Sequence, residues 1–407
     1  MTDLDAYAPF VGQATIDELR MLGNRLRGRK IQHVNSTAVG GGVAEILTRL
    51  VPLTRELGID VRWDVIKGGE DFYALTKRLH NGLHGAPTEI TRHDHDVFDE
   101  TTKENLKTLP LGDDVVFIHD PQPAGLIQAI KNPQKAVWRC HIDVSNPAPA
   151  AWEFIRPWVV KYAAMVVSEP EFARDIDIEQ FLVAPSIDPL SDKNKDLEPD
   201  FVHDVTVKHG LDPSRPIVTQ VSRFDRLKDP IGVIEAYQQA RRYNDCQLLL
   251  VGGGASDDPE GHQVLTECRE KAGGDKDIHV LELPPDAHLE INALQRASTV
   301  IVQKSLREGF GLTVTEALWK AKPVIATATG GIPLQVTHKY SGILTHSIDG
   351  TAYWMKQLLN APDYARWLGR NGREHVRHNF LLIRQLRDYL LLSISLDHAH
   401  ETLIRFD

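Results

Sequence analysis

Residues 305–319 read Ser-Leu-Arg-Glu-Gly-Phe-Gly-Leu-Thr-Val-Thr-Glu-Ala-Leu-Trp. The apolar run Val300–Gln303 precedes them, and the helical pattern Val314–Lys320 closes them. The stretch therefore reads as strand, glycine turn, helix, which is the junction of a βα unit. Gly309 and Gly311 permit a tight turn and close approach of backbone. Amides around Leu312–Thr315 would then face an anion at the start of the helix. Glu308 in the turn and Glu316 in the helix would flank that position with two carboxylate acceptors. Capping or core packing accounts for one such glutamate, not for two with glycines between them.

Working outward, the same alternation recurs on both sides. Upstream strand candidates are Lys30–Ser36, Val61–Lys67, Val115–Asp120, Ala136–Ile142, Met165–Ser168 and Phe181–Ala184. Val43–Leu57 places Val43, Ile46, Leu47, Leu50 and Leu57 on one helical face. Pro185–Asp200 is polar and proline-punctuated and reads as a linker. The alternation restarts with Ile217–Arg223, Gln247–Val251, His279–Leu283, Val300–Gln303 and Val324–Ala326, separated by helical patterns. After about Thr351 only helices are expected. Repeated βα units predict an α/β protein of two doubly wound, Rossmann-like domains. Ligands of such sheets sit at the carboxyl ends of the strands, so chemistry is sought in the loops that follow strands.

The chain has 407 residues, 42% hydrophobic and 25% charged, which is ordinary globular composition. At ~100–200 residues per domain, two domains are expected. A formal charge of −10 argues against nucleic acid as a partner while allowing a local basic pocket. Cys140, Cys246 and Cys268 are far apart and lack metal-ligand spacing, which fits a reducing, cytoplasmic compartment. No signal peptide, membrane-spanning run or internal repeat is read from the sequence.

Two other loops follow strands. Val39-Gly40-Gly41-Gly42 stands before the helix Val43–Leu57, where glycines admit a diphosphate or a tight turn equally well. Arg223-Phe-Asp-Arg-Leu-Lys228 puts cations at a strand end, where a guanidinium fork and an ammonium can hold a diphosphate without a metal. Other tempting residues have bland readings. His93-Asp94-His95-Asp96 is expected to be a solvated loop, since consecutive residues rarely converge on one ion. Asp257-Asp258 after Gly252–Gly254 reads as a polar turn. His398 and His400 read as surface residues, and Trp152, Trp158 and Trp319 as packing. His119 is balanced between ligand contact and buried strand end.

With these segments in view, the chain resembles retaining GT-B glycosyltransferases of the family that includes sucrose and trehalose synthases. The trehalose-forming glycosyltransferring branch is the nearest likeness, with trehalose phosphorylases beside it. The resemblance rests on 33–47, 63–85, 117–123, 138–147 and 305–319. It implies two Rossmann-like domains facing across a cleft, with an acceptor-side domain over 1–185. A linker and nucleotide-sugar domain would cover 186–371, and helices from about 372 to 407 would cross back. Glu308 would bind hydroxyls of the transferred glucose, and Glu316 the ribose. Arg223 and Lys228 would neutralise the departing diphosphate. Gly41, Gly42, Gly309, Phe310, Gly311, Leu312 and Thr313 would line the donor. His141 would contact the donor glucose. Lys67, Gly69, Glu70, Asp120 and Gln122 would lie near the acceptor. The loop Gly330-Gly331-Ile332-Pro333 departs from the family by continuing into Leu334-Gln335 where glutamate is common.

The implied reaction moves glucose from a nucleoside-diphosphate glucose, with UDP and ADP both open, to free glucose, giving trehalose reversibly. No cofactor or metal is required in this reading. The partners are small molecules, with neither nucleic acid nor membrane, and the oligomer is left open with a homodimer among the options. Alternatives are a phosphorylase using glucose 1-phosphate, which needs no ribose acceptor at Glu316; another sugar transferase of the same family; a dehydrogenase, disfavoured by the missing GxGxxG; and an inactive sugar-nucleotide sensor.

Overall fold

A computed structural model describes residues 3–38, 42–112, 114–253 and 259–398. The chain divides into two compact units, one formed by Met1–Ser186 with Leu382–Asp407 and the other by Ile187–Leu381. Each is built on its own six-stranded sheet.

In the first unit, β1 (Lys30–Asn35), β2 (Asp60–Val65), β3 (Val115–His119), β4 (Ala136–Arg139), β5 (Ala164–Val167) and β6 (Glu179–Leu182) lie in the order β2-β1-β3-β4-β5-β6. All pairings are parallel. β3 is buried along its whole length, as expected of a strand covered by helices on both faces. Helix Gly42–Glu56 buries Ile46, Leu47 and Leu50 against the sheet, as their spacing predicts. The C-terminal helix Leu382–Asp397 joins the same core through Ile383, Leu386 and Leu390. Helix Pro362–Asn379 belongs to the second unit, so the chain re-enters the first unit at Leu382.

In the second unit, β7 (Ile217–Val221), β8 (Gln247–Gly253), β9 (Ile278–Leu283), β10 (Val300–Gln303), β11 (Val324–Thr327) and β12 (Ile343–Thr345) take the order β12-β11-β10-β7-β8-β9, again parallel. β12, only three residues long, was not expected from the sequence. The order reverses between β7 and β10 in this sheet and between β1 and β3 in the other. Each reversal opens a crevice at the carboxyl ends of its strands.

The expected linker is a correction. Residues 187–196 are packed onto the second unit. Asn194 is buried and donates to Asp188 O at 3.1 Å. Asn292 donates to the carbonyls of Asp192 and Lys195, and Arg296 to those of Asn194 and Lys195. The polar composition that looks solvated instead supplies backbone acceptors to buried donors.

Candidate active site

At the β7/β10 crevice, the loop after β10 begins Lys304-Ser305 and contains Glu308, while the loop after β7 carries Arg223 and Lys228. Lys228 Nζ donates to Glu308 Oε2 at 2.6 Å, and both side chains are largely buried. Ser305 Oγ (3.0 Å) and Gln303 Nε2 (3.4 Å) donate to the same oxygen. All three bonds converge on Oε2, which leaves Oε1 for another donor. A buried ion pair persists when further hydrogen bonds satisfy its members, as here.

The two loops are laced together below this pair. Lys304 pairs with Asp229, and Leu306 N donates to Leu227 O at 2.7 Å. Gln220 Nε2 donates to Lys228 O at 2.7 Å. Asp229 has φ +47°, left-handed for a non-glycine residue, and caps helix Pro230–Ala240 through Gly232 N at 3.0 Å. Strain of this kind persists only where surrounding contacts impose it.

Helix Leu312–Trp319 starts at Gly311, whose φ of +86° is left-handed. Gly330 has φ +51°, and a Cβ there would lie 1.6 Å from Glu308 O, so only glycine lets the loop after β11 approach. Gly331 N donates to Gly309 O at 3.1 Å. Gln335, two residues after Pro333, is buried. It donates to Phe310 O and Gly331 O and accepts from Thr315 Oγ1 at 2.6 Å. It braces the glycine turn from behind. Thr313 Oγ1 donates to Gln303 Oε1 at 3.2 Å, and Phe310 is buried. Glu316 is buried in the second turn of the helix. Next to it, burial pushes the Lys320 ammonium down to about 7, while the Glu316 carboxylate pulls the other way. Arg223 stands apart from the Lys228–Glu308 pair. Its side chain is 66% exposed, with Asp225 at 3.5 Å.

The first unit's carboxyl edge gathers the other expected residues. The turn after β2 is pinned by Asn105, which accepts from Lys67 N at 2.8 Å and donates to Lys67 O at 2.7 Å. Lys67, Gly69 and Glu70 are exposed there, with Gly69 capping helix Glu70–Leu83. After β3, Asp120 has φ +65° and accepts from His141 N at 2.8 Å through Oδ1. Burial pushes its carboxyl up to about 6. Trp138, buried, donates Nε1 to Asp120 O at 2.9 Å, so it supports this loop rather than presenting a face. Gln122 Oε1 is buried without a partner. His141 follows β4 and bonds to His119 through Nε2. Gly42 opens its helix and is exposed, whereas Gly41, with Val39 and Gly40, lies outside the described residues.

The remaining candidates separate cleanly. His93–Asp96 lie in helix Arg92–Thr108, not in a loop, because Thr91 and Asp94 form a capping box and Asp94 pairs with Arg78. Asp257, Asp258, Gly254 and His400 lie outside the described residues. Among the described residues no group of three or more His, Cys, Asp or Glu could hold a metal, and no helix is long and apolar enough to cross a membrane. Sequence reading missed Gln303, Ser305, Lys304 and Asp229 as the frame of the site. Asp229-Pro230 carried one legible signal, an N-cap followed by proline at the first helical position.

The fold is that of a GT-B glycosyltransferase. Sucrose-phosphate synthase from Thermosynechococcus elongatus matches it with a TM-score of 0.69 at 20% identity, over 91% of this chain and 100% of that one. Residues 33–174 match the family "Trehalose synthase, N-terminal domain", and 204–375 match "Glycosyl transferases group 1". Trehalose synthase of Rubrobacter xylanophilus is 42% identical over 96% of each chain. Trehalose phosphorylase of Pleurotus pulmonarius is 34% identical over 96% of this chain and 61% of its own. The chain belongs to the trehalose synthase family of glycosyltransferases.

Proposed function

We propose that the protein is a retaining glucosyltransferase that moves glucose from a nucleoside-diphosphate glucose to free glucose, forming trehalose reversibly. The observation that carries this reading is the Lys228–Glu308 pair at the crevice between β7 and β10. Bonds to Glu308 gather on Oε2, so Oε1 faces a glucose hydroxyl. The Lys228 ammonium has three N–H bonds and spends one on Glu308, so it can turn others to a phosphate. Negative charge grows on the leaving diphosphate in the transition state, and fixed cations aimed at it lower the barrier. Arg223, exposed and weakly held, joins Lys228 when the donor arrives. The turn Gly309–Thr313 lies along the donor, and Glu316 receives the ribose.

On the first unit, His141 contacts the donor glucose, while Lys67, Gly69, Glu70, Asp120 and Gln122 receive the acceptor. The orphaned Oε1 of Gln122 is an acceptor waiting for a hydroxyl. In this reading Met1–Ser186, with the returning helix Leu382–Asp397, is the acceptor side, and Ile187–Leu381 is the donor side. The chemistry proceeds without a metal, because lysine and arginine supply the positive charge. The three free, buried cysteines fit a cytoplasmic enzyme.

The test is to incubate the protein with UDP-glucose, ADP-glucose and other nucleoside-diphosphate glucoses plus glucose, without added metal, and to identify the disaccharide. Trehalose from at least one donor is expected. No product from any donor refutes the reading, and product only from glucose 1-phosphate makes the protein a phosphorylase.

A further inference from the structure

Three histidines run in a line through the first unit. His33 on β1, His119 at the end of β3 and His141 just after β4 are joined ring to ring. His33 Nδ1 lies 3.1 Å from His119 Nε2, and His119 Nδ1 lies 3.0 Å from His141 Nε2. Burial holds His33 down to about 3 and the other two well below the ordinary histidine range. The Arg139 guanidinium lowers His119 and His141 further, and Asp120, itself pushed up by burial, is the carboxylate at this end. All three rings are therefore neutral.

A neutral imidazole has one N–H and one lone pair. In this geometry the three tautomers cannot be chosen separately. Either every ring carries its proton on Nε2, or every ring carries it on Nδ1; any mixture sets two protons or two lone pairs face to face. The tautomer taken by any one ring therefore fixes that of the other two, and His33, walled in by Leu50, Leu386 and Tyr389, is the buried anchor of the line.

We propose that His33 and His119 are positioning residues that tie the tautomer of His141 to their own, so that His141 meets the sugar as an uncharged ring whose Nδ1 has one set hydrogen-bonding role. Such a ring bonds to a glucose hydroxyl and does not repel a carbon that gains positive character. The effect on turnover rests on the proposed contact between His141 and the donor glucose; the tautomer does not.

Long-range proton–nitrogen NMR of the full chain labelled with 15N-histidine reads the tautomers directly, with each ring assigned by its loss in a single variant. All three rings are expected to show the same tautomer at neutral pH. One ring in the opposite tautomer, or doubly protonated, overturns the proposal. His33→Leu removes the partner of His119 Nε2, so the tautomer balance of His141 should change, with kcat lower by roughly tenfold and the donor KM little changed. His33→Asn restores an amide near Nδ1 and should recover both the wild-type tautomer and most of kcat. A folded His33→Leu protein whose His141 signals match wild type overturns the relay. Altered His141 signals with unchanged kcat leave the relay standing and refute the donor contact of His141.

Discussion

At the ends of β7 and β10, cations meet carboxylates: Lys228 with Glu308, Lys304 with Asp229, and Arg223 with Asp225. At the ends of β3 and β4, burial instead works against charge: it lowers His119 and His141, which keeps both rings neutral, and raises Asp120. Cys140 sits buried among them, its thiol pushed up by the same burial. Both edges are crevices of parallel sheets with comparable loops, so fold alone does not set this contrast. It comes from which side chains close each crevice. On the proposed reaction, one edge meets a diphosphate that gains negative charge as it leaves, and needs cations already in place. The other meets a sugar that gains positive character, where a charged imidazole would repel it.

The largest test of this contrast is to remove the charged pair. Lys228→Ala and Glu308→Gln should each lower turnover by at least ~10²-fold, as expected for lost transition-state contacts, read as kcat and kcat/KM in the trehalose-forming assay. Near-wild-type turnover in both would show that the charged edge does not carry the chemistry. Next in size is Gly330→Ala. Its Cβ would collide with Glu308 O, so thermal unfolding should show a loss of about 2–3 kcal/mol, with activity falling as the glutamate loop is displaced. An unchanged melting temperature would mean that the loop after β11 is free to move.

The uncharged edge has its own test. The Asp120 carboxyl is raised from 3.8 to about 6 in the folded protein. A raised carboxyl contributes stability that is fully present below its unfolded value of 3.8 and is lost as pH rises through about 6. Asp120→Asn tolerates the left-handed backbone and carries no charge. Its melting temperature relative to wild type should therefore rise across that window and level off above it. A difference that is flat with pH would mean that the carboxyl is not desolvated. The smallest stability effect belongs to Arg223→Ala. An exposed arginine with a partner at 3.5 Å should change stability by no more than about 0.5 kcal/mol, while donor affinity falls. A marked loss of stability would place Arg223 in the structural frame of the crevice.

Several elements were legible because they depend on local pattern. Runs of three to seven residues carrying apolar side chains marked β1–β11, most plainly where a strand such as β3 is covered on both faces. β12 escaped because only two apolar residues, Ile343 and Leu344, mark it. The segment 187–196 misled because polar composition predicts solvent, whereas its carbonyls serve Asn292 and Arg296 from a helix about a hundred residues away. His93–Asp96 misled for the opposite reason. The capping box at Thr91 and Asp94 was present in the sequence and outweighed the histidines. In the candidate site, Glu308, Gly309, Gly311, Arg223 and Lys228 were readable from their positions after strands. Lys304, Asp229, Gln303 and Gln335 were not, because their roles consist of contacts between loops far apart in sequence.

The sequence by itself determined the strand and helix alternation, the two-sheet class, and the loops in which chemistry must lie. These follow from hydrophobic period, glycine placement and the rule that parallel strands end at one edge. Only the tertiary structure decided that Lys228 meets Glu308 and that Lys304 pairs with the left-handed Asp229. It also decided that His33, His119 and His141 form one line. Each of these depends on which strands lie side by side and on how much water is excluded between them. Neither strand order nor desolvation is a local property of the chain.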